Sequence, residues 1–154
     1  MTEPVRIRRF RLTDMSALLA IEQACFPGEA FDEALFRRFA AKGSALFLVA
    51  LCGRRLVGYS LAERSGPDAE LVSIAVAPEL RRRGVGQALL GATLGRLRRA
   101  GCRVCRLSVR TTNTAAIRLY ERHGFRRLRR IVKYYADGAD ALRMRKELAA
   151  PVRR

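Results

Sequence analysis

The chain has 154 residues, 49% of them apolar, and carries 31 Lys and Arg against 14 Asp and Glu, a formal net charge of +17. That length points to one domain with a real core over residues 4–148 and a loose basic tail at 149–154. The charge disfavours strongly cationic small-molecule partners such as polyamines. The longest apolar run, Ala45–Cys52, is too short to cross a bilayer, and Met-Thr-Glu-Pro-Val-Arg at the start lacks a signal peptide's apolar core, so a cytoplasmic protein with no membrane association is expected.

Val5–Phe10 alternates apolar residues with arginine, as a half-exposed strand does. Thr13 is placed to cap a helix through Leu18, Leu19 and Ile21, which Pro27-Gly28 stops. Asp32 caps a second helix with Leu35, Phe36 and Phe39 on one face, closing near Gly43. The loop between them, Cys25 to Phe31, is richer in aromatics than a solvent loop needs. Ala45–Leu51, uniformly apolar, reads as a central strand that pairs with Leu56–Glu63 across Cys52-Gly53-Arg54. After a turn at residues 65–68, Glu70–Ala77 is the third strand of this group. A helix beginning after Gly84 carries Val85, Leu89, Leu90, Leu94 and Leu97 at helical spacing and ends at Gly101. Arg103–Val109 is a strand, and Asn113 opens a short helix with Ala116, Ile117 and Tyr120, ended by Gly124. Two closing strands, near Phe125–Tyr134 and Ala141–Leu148, meet across Asp137-Gly138. The order β-α-α-β-β-β-α-β-α-β-β predicts an α/β fold, a mixed sheet covered by helices, with a parallel crossover over residues 70–109.

Cys102 and Cys105 form a C-x-x-C, but no second pair accompanies it and His123 is the only histidine, so no metal is expected. Read as part of a strand, the two point to opposite faces and are buried thiols. His123, at a helix end, is a partner for the helix dipole rather than a base.

The most informative segment joins the third strand to the helix after it. It holds Arg81, Arg82, Arg83, Gly84, Val85, Gly86 and Gln87. N–H groups at a helix start lack intrahelical partners and bind anions, and glycines there let a phosphate approach the main chain. The third glycine and later acid of a dinucleotide site are missing, as is the Gly-Lys-Ser/Thr of a P-loop. Instead, Ile-Ala-Val-x-Pro followed by Arg-x-x-Gly-x-Gly resembles the acetyl-CoA signature of the GNAT superfamily of N-acetyltransferases. Asn113-Thr-Ala-Ala-Ile-Arg-Leu-Tyr-Glu-Arg-His-Gly-Phe125 resembles that family's second motif, at the family's spacing. The likeness spans residues 4–148 and is nearest the ribosomal-protein-alanine N-acetyltransferase type.

The resemblance implies a GNAT-like splayed sheet and acetyl-CoA as cofactor, with coenzyme A as product. It implies that Ile74, Ala75 and Val76 hold the pantetheine arm and that residues 81–87 hold the pyrophosphate. Asn113, Ala116 and Tyr120 complete the cofactor side, and Tyr120 protonates the departing thiolate. Phe26, Pro27, Phe31, Tyr134 and Tyr135 border the acceptor. In the ribosomal type a glutamate acts as base where this chain has Ser108. Glu70, at the start of the third strand, is the replacement, acting through water with Ser108 as a link in the chain. The implied activity is acetylation of a protein or peptide amine, preferably an N-terminal α-amine, with a ribosomal protein as the favoured acceptor. A lysine or small-amine acetyltransferase is one alternative. A non-catalytic basic module is the other, with the charge giving weak association with RNA or the ribosome.

Overall fold

The computed structural model describes residues 4–149, so the expected tail lies, beyond Ala149, outside the described residues. In chain order the elements are β1 Val5–Arg9, α1 Met15–Cys25, α2 Glu33–Ala41, β2 Ala45–Cys52, β3 Arg55–Ser65, β4 Asp68–Val76, α3 Val85–Arg99, β5 Val104–Arg110, α4 Thr114–Arg122, β6 Arg126–Ile131 and β7 Ala141–Glu147. Short 3₁₀ turns at Leu12–Asp14 and Pro78–Leu80 precede α1 and α3. This is the order read from the sequence.

The seven strands form one sheet, β1-β2-β3-β4-β5-β7-β6. Every neighbouring pair is antiparallel except β4 and β5. That parallel ladder covers only Asp68–Leu71 against Val104–Leu107. Both strands continue beyond it, β4 to Val76 and β5 to Arg110, without pairing to each other, so the sheet splays open at its middle. Val72, unpaired in the β3–β4 register, is a bulge at the point where the splay begins.

β2 is buried on both faces, which is why it reads as a continuous apolar run. Leu46, Leu48 and Ala50 join a core beneath α3 and α4, while Phe47, Val49 and Leu51 join a second core beneath α1 and α2. The second core draws on β2, β3 and β4 but takes no residue from β5, β6 or β7. Helix α3 lies close on the sheet: a Cβ at Gly58 would meet the Ala75 carbonyl oxygen at 2.8 Å and Leu89 at 3.0 Å. Buried Thr93 pins it further, bonding Ser60 Oγ at 2.8 Å and donating to the Leu89 carbonyl at 2.7 Å.

Four local expectations are corrected. Thr13 does not cap α1; it lies inside the 3₁₀ turn, and Asp14 organises the entry instead. The Asp14 carboxylate accepts from both Arg8 Nη atoms, at 2.8 and 2.9 Å, and from the Arg11 N–H at 2.8 Å. Cys102 precedes β5, so the alternation argument fails and both Cys102 and Cys105 are buried in the α3–α4 core. Burial pushes the Cys105 thiol up to about 12. Finally, β6 ends at Ile131 and residues 132–140 reach β7 as a loop, where the strand was expected to run to Tyr134; the turn expected at Asp137-Gly138 is present within that loop, the Gly138 N–H donating to the Tyr135 carbonyl at 2.9 Å. Tyr134 and Tyr135 therefore sit on that loop and do not alternate on a strand.

Candidate active site in the splayed sheet

The open wedge between β4 and β5 gathers most of the expected site residues. The Ala77 N–H donates to the Val57 carbonyl, and strand alternation then turns the peptide groups of Val76 and Ile74 away from β3 and into the wedge. Ala75, between them, turns its peptide toward β3. The Val76 carbonyl accepts from the Cys25 thiol at 3.2 Å, which ties the end of α1 to the wedge's rim.

The turn after β4 is exposed and shaped by backbone geometry. Arg82 (φ 66°) and Gly84 (φ 83°) are left-handed, and α3 begins after Gly84 with no side-chain cap and no acid in its first turn. The first N–H groups of α3 are thus left for an external acceptor beside an exposed arginine cluster. Arg82 and Lys133 are the two non-glycine residues with positive φ among the described residues, and they lie in the turn after β4 and the β6–β7 loop. Such conformations cost on the order of 1–3 kcal/mol and concentrate at functional sites. A Cβ at Gly86 would meet Leu119 at 3.4 Å and Val76 at 3.8 Å, ordinary van der Waals contact, so packing of α3 against α4 does not itself demand glycine there. Arg81 leans back to Cys25, at 3.5 Å from Sγ, while Gln87 is exposed on the first turn.

On α4, the Asn113 side chain accepts from the Ala116 N–H at 3.2 Å and so caps the helix. Ala116 packs against the α3–α4 core, and Tyr120 is buried in it with its ring edge-on to Phe125 at 5.7 Å. Burial raises the Tyr120 pKa, and nearby Tyr135 and Cys105 push the same way, so the phenol holds its proton. His123 ends α4 with Nδ1 3.0 Å from the Leu119 carbonyl oxygen, as expected of a helix-end partner.

The other face of the wedge holds Glu70, Ser108 and Arg143. Arg143 donates to both Glu70 oxygens, at 2.5 and 2.8 Å, and to Ser108 Oγ at 3.2 Å. The carboxylate raises the pKa of the Arg143 guanidinium still further. The two residues expected to handle the amine proton are therefore adjacent, and a third residue, unforeseen, holds them. Beside them lies a buried network. Tyr59 donates to Glu22 Oε1 at 2.6 Å and sits 2.8 Å from Ser73 Oγ, and the Phe31 N–H donates to Glu22 Oε2 at 3.0 Å. Glu22 is 1% exposed, and burial raises its pKa above the usual carboxylate range. This network fixes the α1–α2 loop to the floor of the sheet.

The α1–α2 loop brings Phe26 and Phe31 onto the second core, Phe31 edge-on to Phe36 at 5.8 Å, and leaves Pro27 exposed. Across the wedge, Tyr135 is half-buried and Tyr134 exposed, their rings edge-on at 4.9 Å. Arg110, at the end of β5, joins the two loops. Its guanidinium pairs with Glu29 of the first and with Asp137 of the second at 3.0 Å, and stacks over the Tyr135 ring at 4.3 Å. The Ala139 N–H, and after it Arg110, hold the Asp137 carboxyl below its ordinary range.

Arg143, Glu22, Tyr59, Ser73 and Arg110 were missed in the sequence. Glu22 carried a signal, since it falls on the apolar face of α1 one turn from Leu18 and Cys25, where a charge demands partners. The others depend on strand register, which residue types alone do not fix.

The arrangement pairs a strand with free peptide groups and an uncapped helix start with a buried phenol on one side and a carboxylate–hydroxyl pair on the other. A model of the acetyltransferase (GNAT) family matches residues 15–125. The chain is 35% identical over 156 residues to the N-alpha-acetyltransferase RimI of Mycobacterium tuberculosis, covering 97% of each. It is 33% identical over 160 residues to an N-alpha-acetyltransferase of Sulfurisphaera tokodaii, covering 96% of this chain and 93% of that one. Its structure superimposes on the ribosomal-protein-S18-alanine N-acetyltransferase of Escherichia coli with a TM-score of 0.87 at 28% identity, over 97% of both chains.

Proposed function

The chain belongs to the GNAT acetyltransferase family and is an acetyl-CoA-dependent N-acetyltransferase of protein amines, and from that premise we propose that its acceptor is the α-amine of a polypeptide N-terminus, with a ribosomal protein as the favoured substrate. The observation that carries the reading is the splay: β4 and β5 part after Leu71 and Leu107, and opposite chemistry lies on the two sides of the opening.

Acetyl-CoA supplies an activated acetyl thioester whose sulfur leaves as a thiolate. The residues present fit it. The Ile74 peptide group and the Val76 N–H are free to pair with an amide-bearing arm, as a sheet edge pairs with a peptide, while the Val76 carbonyl is held by the Cys25 thiol. The residue 81–87 turn and the first N–H groups of α3 hold its phosphates, assisted by the helix dipole. Asn113 and Ala116 border the same side. The Val76 N–H steadies the carbonyl oxygen as charge develops, a contribution on the order of 3 kcal/mol for one such donor.

Tyr120 holds a proton at its Oη for the leaving sulfur, and its raised pKa keeps that proton in place until transfer. Glu70 receives the amine proton through water, and Ser108 passes it along as donor and acceptor in turn. Arg143 fixes the carboxylate's orientation and occupies both of its oxygens, so Glu70 works on the solvent-facing lone pairs left to it. An α-amine, with a pKa near 8, needs little help from such a base, whereas a lysine amine near 10.4 needs far more. This favours a terminal amine over a side chain. Phe26, Pro27, Phe31, Tyr134 and Tyr135 frame the entry.

The experiment that tests this reading is release of free thiol from acetyl-CoA with peptides bearing free or blocked N-termini. Turnover only on free α-amines is expected; turnover on blocked peptides through lysine would contradict it.

A further inference from the structure

The β5-β7-β6 half of the sheet has one face without a helix on it: the core beneath α1 and α2 stops at β4. Strand register sets five arginines on that face. Ser108, Arg143 and Arg129 lie opposite one another in one rung, and Arg106, Arg145 and Arg126 in the next. Directly opposed residues on neighbouring strands share a face about 5 Å apart, and residues two apart along a strand repeat at about 6.8 Å. Two of these arginines already hold carboxylates: Arg143 holds Glu70, and Arg106 donates to Asp68 at 3.0 Å. Arg145 approaches Glu147 only to 3.6 Å, and its Nε is buried without a hydrogen-bond partner. Arg126 and Arg129 are exposed and have no acidic partner among the described residues.

We propose that this face binds acidic side chains of the acceptor polypeptide, in the residues that follow the amine being acetylated. The proposal rests on the polypeptide acceptor put forward above and adds its sequence class. Three observations carry it. The face is continuous with the wedge, since Arg143 touches both Glu70 and Ser108. Arg110, two residues beyond Ser108 on β5, is already held by Glu29 and Asp137, so the charge of this face without an acidic partner among the described residues lies on the rungs of Arg129 and Arg126. An extended peptide presents alternate side chains at the same repeat as alternate strand residues, so carboxylates two positions apart match arginines two positions apart. A carboxylate ligand fits better than nucleic acid here. The face already pairs its arginines with carboxylates, Arg143 with Glu70 and Arg106 with Asp68.

The test uses the full chain and three peptides of equal length with identical first residues, followed by acidic, neutral or basic stretches. Anisotropy gives affinity without turnover, and thiol release gives kcat/KM. The acidic peptide is expected to bind about tenfold more tightly than the neutral one at low salt, with the advantage shrinking as salt rises. The double variant Arg126→Ser/Arg129→Ser should erase that advantage while leaving neutral-peptide turnover and thermal stability unchanged. Equal affinity for acidic and neutral peptides, or an advantage that survives the double variant, would overturn the proposal. Tighter binding of a short RNA of equal charge would overturn the peptide assignment. The two readings separate cleanly. Arginine-dependent binding of the acidic peptide with no turnover on any peptide would refute the acceptor reading and uphold the acid-binding face. Turnover on all peptides without acidic preference would do the reverse.

Discussion

Arg143 and Glu70 lie 73 residues apart in the sequence, yet the guanidinium takes both carboxylate oxygens, at 2.5 and 2.8 Å, where the sheet begins to splay. An ion pair so placed orients the carboxylate toward whatever enters the wedge. Glu70→Gln is expected to lower kcat/KM by about 10²-fold. The loss should be greatest at the acid end of the pH profile, where the α-amine is mostly protonated, and should shrink toward pH 8. Ser108→Ala should cost less than Glu70→Gln at every pH. A pH-independent response to Glu70→Gln would remove Glu70 from proton transfer.

Tyr120→Phe removes the proton donor and leaves the ring in its place against Phe125. It should reduce kcat by about 10²-fold while the acetyl-CoA Kd, read by calorimetry, stays nearly unchanged. Because the phenol's pKa is raised, the wild-type rate should show no decline from Tyr120 ionising up to pH 10. Unchanged kcat in the variant would assign thiolate protonation to water.

Arg110→Met cuts the bridge between the two loops and leaves Glu29 and Asp137 to repel one another. The KM for peptide should rise several-fold, cleavage by a protease within residues 132–140 should accelerate, and acetyl-CoA affinity should hold. Arg110→Lys, which keeps the charge but not the fork or the stacking, should recover only part of the effect.

Asp14 and Glu22 make opposite contributions to stability as pH changes. Asp14 is held below its ordinary pKa first by Arg8, so its stabilisation is present above about pH 4 and is lost as pH falls through its lower folded value. Asp14→Asn should cost about 2 kcal/mol at neutral pH, a Tm shift of roughly 4–8 °C, and the gap to wild type should close under acid conditions. Glu22 is raised, chiefly by burial, so its contribution is fully present below about pH 4 and fades as pH rises through its higher folded value. Glu22→Gln should therefore flatten the pH dependence of Tm on the alkaline side of that range. Thermal melts across pH 3–8 read both.

Much of this fold was legible because its elements are bounded by strong local signals. Asp32 caps α2 by accepting from the Leu35 N–H at 2.9 Å, and Gly101 and Gly124, at φ 96° and 90°, end α3 and α4 where the sequence placed their stops. Thr13 misled because Asp14, the next residue, has a guanidinium to hold, and a side chain engaged in tertiary pairing outcompetes a cap. Tyr134 and Tyr135 misled because Asp140 draws the chain out of the strand pattern, accepting from the Lys133 N–H at 2.9 Å and from Arg130. The strand, turn and helix proposed for the cofactor are contiguous in sequence, so those elements were readable. The acceptor side depends on Glu70, Ser108 and Arg143 meeting across three strands, and only register brings them together.

The wedge is expected to transfer an acetyl group to a terminal nitrogen. Tandem mass spectrometry of a lysine-containing peptide with a free N-terminus, incubated with the protein and acetyl-CoA, tests it most directly. The expected product carries a single acetyl group on the α-nitrogen with the lysine untouched. An unmodified peptide, or acetylation confined to the lysine, would contradict it.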